Sequence, residues 1–199
     1  MKKELTEKLF KDFPEFFKHK DNLHASLMAF GFECSDGWFD LIYKLCEDIK
    51  KYFETEYDGY EWDGTNVKSK CFHRVPKHFY VVQVKEKFGG LRFYITAAPQ
   101  KVHDLIDIAE HESYNTCEQC GKYQVPQVKN GIYKSYYRDK LPWVLTLCDE
   151  CLDKHVEKKF GRPRLKDEDF VSDWQKKNKA PYLTLTKRTG TKNIKMGIH

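Results

Sequence analysis

Apolar residues change their spacing several times along this chain, and each change marks a different element. Leu5, Leu9, Phe10 and Phe13 recur at helical spacing and are stopped by Pro14, which predicts a short amphipathic helix. Phe16, Phe17, Leu23, Leu27, Met28 and Phe30 then form a segment apolar enough to pack, ended by Gly31. From Trp38 the period is strict. Trp38, Leu41, Ile42, Leu45, Ile49, Tyr52 and Phe53 predict a helix of about four to five turns with one buried face, and Ser35 or Asp36 is placed to cap it. Residues 55–78 are polar, carry Asp58-Gly59 and Asp63-Gly64 turn signals beside Tyr60 and Trp62, and read as a surface loop.

The period then drops to two. Residues 79–96 alternate on either side of Gly89-Gly90, the pattern of a β-hairpin with a two-residue turn. With that turn, Phe88 faces Leu91, Lys87 faces Arg92 and Lys85 faces Tyr94. One face carries Val82, Val84, Phe88, Leu91, Phe93 and Ile95 and is core; the other carries Gln83, Lys85, Lys87, Arg92, Tyr94 and Thr96. A lysine opposite an arginine costs stability unless something negative lies between them. Two sources are at hand: the carboxylates of Glu33, Asp36 and Asp40, gathered at one helix start, with Glu86 on the hairpin itself, or an anionic ligand. The mixed case is expected, with Lys85 paired to an acid and Arg92 open to the ligand. After the hairpin, Pro99 opens a helix that turns Val102, Leu105, Ile106 and Ala109 inward and brings Glu110, Glu112 and Ser113 near the first cysteine pair.

Chemistry enters with the cysteines. Cys117-Glu118-Gln119-Cys120-Gly121 and Cys148-Asp149-Glu150-Cys151 are two C-x-x-C pairs, and such pairs grip one tetrahedral ion from two tight turns, which points to structural zinc. Gly121 supplies the backbone freedom of the knuckle. Asn130-Gly131, with Tyr133, Tyr136, Tyr137 and the run 143–147, predicts a hairpin between the pairs, and residues 149–160 predict a helix with acids first and lysines last. Knuckle, hairpin and helix follow the order of a treble-clef finger. His111 and His155 are substitute ligands. Four thiolates leave the metal no open position, so the ion is expected to be a staple. The fold class that results is α+β: helices on a small antiparallel sheet, with residues 1–160 as one body that includes the zinc module at 117–160.

Composition narrows the class. Of 199 residues, 40% are apolar and 33% charged, which fits a soluble globular protein. No run of 18 apolar residues and no signal peptide is present, which argues against a membrane partner. Seven cysteines, four of them at metal spacing, suit a reducing cytoplasm and leave Cys34, Cys46 and Cys71 as buried or idle thiols. The net charge of +5 sits at one end: residues 161–199 carry ten Lys/Arg against four Asp/Glu, and no acid follows Asp173. This basic extension suits a polyanion, and a short helix about Phe170 and Trp174 is expected within it.

Residues 33–39, the run Lys85-Glu86-Lys87-Phe88-Gly89-Gly90-Leu91-Arg92-Phe93-Tyr94, the Cys117-x-x-Cys120-Gly121 knuckle and Thr146-Leu147-Cys148 together resemble a family of uncharacterised small zinc-finger proteins encoded by bacteriophages and prophages. The resemblance spans roughly residues 1 to 152 and implies a bacterial host cytoplasm and a viral accessory role, with no activity to carry over. Three functions compete. An anionic-ligand binder, for nucleic acid or a nucleotide, would use Lys85, Lys87 and Arg92 for charge and Trp38, Tyr94 or Trp62 for stacking. Captured host nucleotide or masked nucleic acid would serve anti-defence. An inhibitor or adaptor of a host protein would draw its anchors from the aromatic residues, 15% of the chain. An enzyme is the weakest reading, because residues 121–147 contain no histidine for a finger-type nuclease and no phosphate-cradling glycine loop is present. Removing the chain from about Asn178 onward should leave the melting temperature nearly unchanged and flatten the salt dependence of nucleic-acid binding. Unfolding of the truncated protein would show instead that the extension belongs to the core.

Overall fold

Four helices and two antiparallel β-ribbons make up residues 1–62, 66–123 and 144–163, the part of the chain that the computed structural model describes. In chain order these are α1 (Lys3–Asp12), 3-10 turns at Leu27–Phe30 and Asp36–Trp38, α2 (Phe39–Thr55), β1 (Asp58–Trp62), β2 (Val67–Phe72), β3 (Val81–Lys87), β4 (Gly90–Ile95), α3 (Gln100–Ser113) and α4 (Asp149–Phe160). The class is α+β. No described helix is long and apolar enough to cross a membrane. The hairpin expected about Asn130-Gly131 and the helix about Phe170 and Trp174 lie outside the described residues, as does Asp63-Gly64.

The core is built around the stripe of α2. Ile42, Leu45, Cys46, Ile49 and Phe53 are buried against Leu9, Phe13, Phe16 and Phe17, against Val84, Leu91 and Phe93 of the β3–β4 hairpin, and against Val102, Ile106 and Ala109 of α3. Phe79 bridges two of these sources, with ring centroids 5.1 Å from Phe16 and 4.9 Å from Phe53. Full burial of each such side chain contributes about 1.5–3 kcal/mol. The segment between α1 and α2 packs less completely than its composition suggests. Met28 is buried, but Leu23 and Phe30 are exposed. Capping of the next helix also differs: Ser35 precedes the 3-10 turn without a side-chain bond, and the Asp36 carboxylate accepts from the Lys2 amide at 2.6 Å and pairs with its ammonium at 3.1 Å.

A lone two-stranded hairpin is marginal in water, and here both of its edges are covered. Beside β3, the Glu33 amide donates to the Val84 carbonyl (3.0 Å) and the Glu86 amide donates to the Glu33 carbonyl (2.9 Å). Beside β4, two side chains of α3 accept the amides that a third strand would have taken. Leu91 donates to Ser113 Oγ (2.9 Å) and Phe93 to Glu110 Oε1 (3.0 Å). Buried amides need such partners, and a satisfied edge cannot recruit another chain.

The hairpin turns one residue earlier than the Gly-Gly pair suggests. Phe88 and Gly89 hold φ of 55° and 76°, so they are the central residues, and Lys85 faces Arg92, Val84 faces Phe93 and Lys87 faces Gly90. The reason lies outside the hairpin. Gly90 lies flat on Tyr114, where an added Cβ would stand 2.5 Å from the ring, so it serves close packing and the turn falls to its neighbours. Lys87 therefore does not oppose Arg92, and Phe88 sits at the tip, 68% exposed, instead of in the core.

Within the stretch read as a surface loop, residues 58–62 and 67–72 instead form the β1–β2 ribbon, paired from Asp58 with Phe72 to Glu61 with Ser69. The alternation is hard to see because one of its inward residues is a carboxylate. Glu61 is buried, accepts the Lys77 amide at 2.8 Å and pairs with Arg74 at 3.2 Å. A bulky residue at positive φ costs about 1–2 kcal/mol, and Phe88 returns little of this through burial. Phe88→Gly is therefore expected to stabilise the protein by about 1 kcal/mol, read as a higher urea midpoint with unchanged slope.

Candidate metal centre

Each cysteine pair is set by its own local turn. In the first, the Gly121 amide donates to the Cys117 carbonyl (2.8 Å), the Cys117 amide donates to the Lys122 carbonyl (2.9 Å), and Gly121 holds φ +76°, which a side chain would oppose. In the second, Cys148 stands in extended backbone at the N-cap of α4, and the helix then carries Cys151. Asp149 and Glu150 fill the first turn of that helix and Lys158 and Lys159 the last, the order its dipole favours. The four sulfurs lie within 4.8 Å of one another, with Cys120 Sγ 3.7 Å from Cys148 Sγ. A tetrahedron with metal–sulfur bonds of about 2.3 Å has edges of roughly 3.8 Å. The cluster can hold a metal ion, and neither His111 nor His155 belongs to it.

Electrostatics agree with that use. Burial pushes the Cys117 and Cys151 thiols up from their ordinary value. Burial also acts against Cys120, but the Lys122 amide and the neighbouring thiols outweigh it and its pKa falls. Four crowded thiols cannot all ionise without a counter-charge, and a bound cation supplies one. The three other cysteines are different. Cys34, Cys46 and Cys71 are buried and apart from the cluster, and burial pushes Cys34 up to about 12.

The knuckle sits directly on the 3-10 turn before α2. The Gly37 amide donates to the Glu118 carbonyl (2.7 Å), the Ser35 amide donates to Glu118 Oε1 (2.9 Å), and Trp38 Nε1 donates to the Thr116 carbonyl (2.9 Å). At Gly37 the approach is backbone on backbone: a Cβ there would lie 2.3 Å from the Cys117 carbonyl oxygen and 2.4 Å from the Gly121 nitrogen. From the other side, the Glu118 amide donates to the Thr146 carbonyl (2.8 Å), and Thr146 Oγ1 donates to the carbonyl of Gly89 in the hairpin turn. Glu118 is itself buried, and burial raises its carboxyl pKa. Gly37, Glu118 and Thr146 are the residues of this site that sequence reasoning missed. The only signals were the aspartate-glycine step at 36–37 and the position of Glu118 inside a C-x-x-C pair.

The expected ligand face is redistributed. Trp38 is fully buried under the knuckle and offers no stacking surface. Arg92 is not open: it donates to Tyr114 Oη (3.0 Å) and to the Leu91 carbonyl, and it pairs with Glu110 at 3.5 Å. The acids do not gather on the hairpin's cations. Glu33 accepts from Gln83 Nε2 (2.6 Å), Asp36 is held by Lys2, Asp40 borders a shallow groove with Lys8 and Tyr43, and Glu86 accepts the Gly89 amide (2.6 Å). Among the described acids none pairs with Lys85. Its ammonium lies 5.5 Å from the Tyr94 ring, and that of Lys87 lies 5.5 Å from the Phe88 ring. Among the described residues neither lysine makes an ion pair.

No protein-family model, curated protein or solved structure matches this chain. Its chemistry is thus read from the residues alone. Because backbone crowds Gly37 on both sides, Gly37→Ala should cost about 3 kcal/mol and loosen the metal centre. Gly161→Ala, where an added Cβ meets nothing within 4 Å, should cost only about 1 kcal/mol through its positive φ. Thermal melts of both variants, with metal content measured alongside, check this; equal losses would show that the Gly37 contact carries no special weight.

Proposed function

We propose that the four cysteines hold one structural zinc in a treble-clef-like module, and that the protein is a phage-type accessory protein whose β3–β4 face binds an anionic ligand, nucleic acid before free nucleotide. The observation that carries the binding half is a pair of lysines that make no ion pair among the described residues, Lys85 and Lys87, beside two exposed rings, Tyr94 (41%) and Phe88 (68%). Cations next to open aromatic faces suit phosphates and bases together. Each lysine–ring contact at an exposed site is worth about 0.5–1 kcal/mol, so a phosphate can displace it.

Two features support the metal half. All-sulfur tetrahedral sites favour zinc or iron over harder ions, and the closed ligand set suits a staple more than a reaction centre. The apolar cluster under the thiols is small, comprising Leu147, Leu152 and Val156 with two of the cysteines, so an ion would supply cohesion that packing does not. The resemblance to phage-encoded zinc-finger proteins supports the accessory role.

Elemental analysis of protein expressed in bacteria is expected to find one zinc per chain. Cys120→Ser should lose the metal together with solubility, because binding and folding of such a module are one event. Well-folded protein without metal would overturn the staple. For the face, the Lys85→Ala/Lys87→Ala double variant should melt like the parent and bind a 12-base oligodeoxythymidine more weakly, with a salt slope shallower by about 1.4, or 0.7 per lost phosphate contact. Unchanged affinity with a lowered melting temperature would make this face structural.

A further inference from the structure

We infer that the outer face of the β1–β2 ribbon is a second, separate stacking surface, and that its ligand is single-stranded nucleic acid. Strand alternation turns Glu61 and Cys71 inward and leaves Tyr60, Trp62, Lys70 and Phe72 outward, with Tyr60 directly opposite Lys70. Tyr60 is 50%, Trp62 44% and Phe72 45% exposed. Among the described residues of the two strands, Asp58, at the end of β1 far from Trp62, is the outward carboxylate.

Exposed aromatics on a ribbon often serve to hold its two strands together by packing on each other. That explanation does not cover these three. Among the described residues, Tyr60, Trp62 and Phe72 make no ring contact with one another; Trp62 meets only His78, edge-on at 6.4 Å, and Lys70 lies over Phe72 at 5.2 Å. The rings nevertheless stand on a braced frame. The Trp62 amide donates to His78 Nδ1 (3.2 Å), the His73 amide donates to the Tyr57 carbonyl (3.2 Å), Cys71 Sγ donates to the Arg74 carbonyl (3.6 Å), and buried Glu61 holds Arg74 and the Lys77 amide. Aromatic rings fixed before binding lose little freedom on binding.

Charge favours a polyanion on the β2 side of this face. Residues 66–78 carry Lys68, Lys70, Arg74 and Lys77 with two histidines and no acid, whereas the acids Glu54, Glu56, Asp58, Glu61 and Asp63 all precede them and Arg74 is already paired with Glu61; phosphates would therefore run along β2, with the bases toward Tyr60 and Trp62. Tyr60 and Trp62 are two residues apart on one strand, about 6.8 Å, a spacing suited to successive bases of an extended strand. Bases of a duplex are stacked on each other and cannot use it. The residues are distinct from those of the β3–β4 face, so each surface can fail alone.

The test uses the full-length, metal-loaded chain and fluorescence anisotropy with labelled 12-base oligodeoxythymidine, oligouridine and a duplex of equal length. Tyr60→Ala and Trp62→Ala should each weaken both single strands by roughly 10-fold, while Trp62→Phe stays within about 3-fold of the parent, since any aromatic ring can stack. A loss confined to one sugar type would name DNA or RNA as the ligand. Lys70→Glu, wholly on the solvent side, should give a comparable loss and keeps the inference testable if either alanine variant fails to fold. Parental affinity in the ribbon variants, with weak binding by Lys85→Ala/Lys87→Ala, overturns the ribbon surface and leaves the hairpin reading standing; the reverse pattern does the opposite. Duplex binding that falls in parallel with single-strand binding also overturns the stacking assignment.

Discussion

The contact on which the rest of this structure depends is the backbone-to-backbone seat of the cysteine knuckle on Gly37. Three segments far apart in the chain, 35–38, 116–121 and 144–147, meet there through main-chain groups, and the turn of the β3–β4 hairpin joins through Gly89. Each of these hydrogen bonds contributes only about 1 kcal/mol net, but leaving a buried partner unmade costs about 1–3 kcal/mol. The seat is therefore cooperative: moving one segment strands the polar groups of the others. A bound ion fits the same logic, because it fixes the two halves of the knuckle that the seat alone joins through Thr146.

This explains why two short motifs of the sequence stand out while neither binds a ligand by itself. The segment Asp36-Gly37-Trp38 lies under the knuckle, with Trp38 buried and bonded to Thr116. The Gly89-Gly90 pair lies against Thr146 and Tyr114. Arg92 is then recruited inward by Tyr114 and Glu110, and Glu110 also closes the edge of β4. Scaffolding takes up the arginine and the tryptophan. Two lysines and two rings are left outward on the hairpin, and three rings and a lysine on the other ribbon, with no described carboxylate paired to those lysines. A cation left unpaired on a braced surface keeps its charge available to a partner.

Sequence by itself determined what depends on neighbours along the chain. The amphipathic stripes of α1, α2 and α3, the existence of the β3–β4 hairpin and the pairing of cysteines two by two are local patterns, set by helical or strand period and by turn chemistry. The convergence of the two cysteine pairs was legible too, since four thiols at that spacing have one common use. Tertiary structure alone decided the rest. The hairpin turned at Phe88-Gly89 because Tyr114, a residue of another element, needed Gly90 flat. The β1–β2 ribbon was hidden because its inward position holds Glu61, whose burial is tolerable only with Arg74 and the Lys77 amide in place. Trp38 and Arg92 carry the same side chains whether buried or open, and what sits on them is chosen by segments some 20 to 80 residues away. Period and spacing report the local half of folding; the partner of a polar or aromatic side chain is a long-range contact, and only the folded chain specifies it.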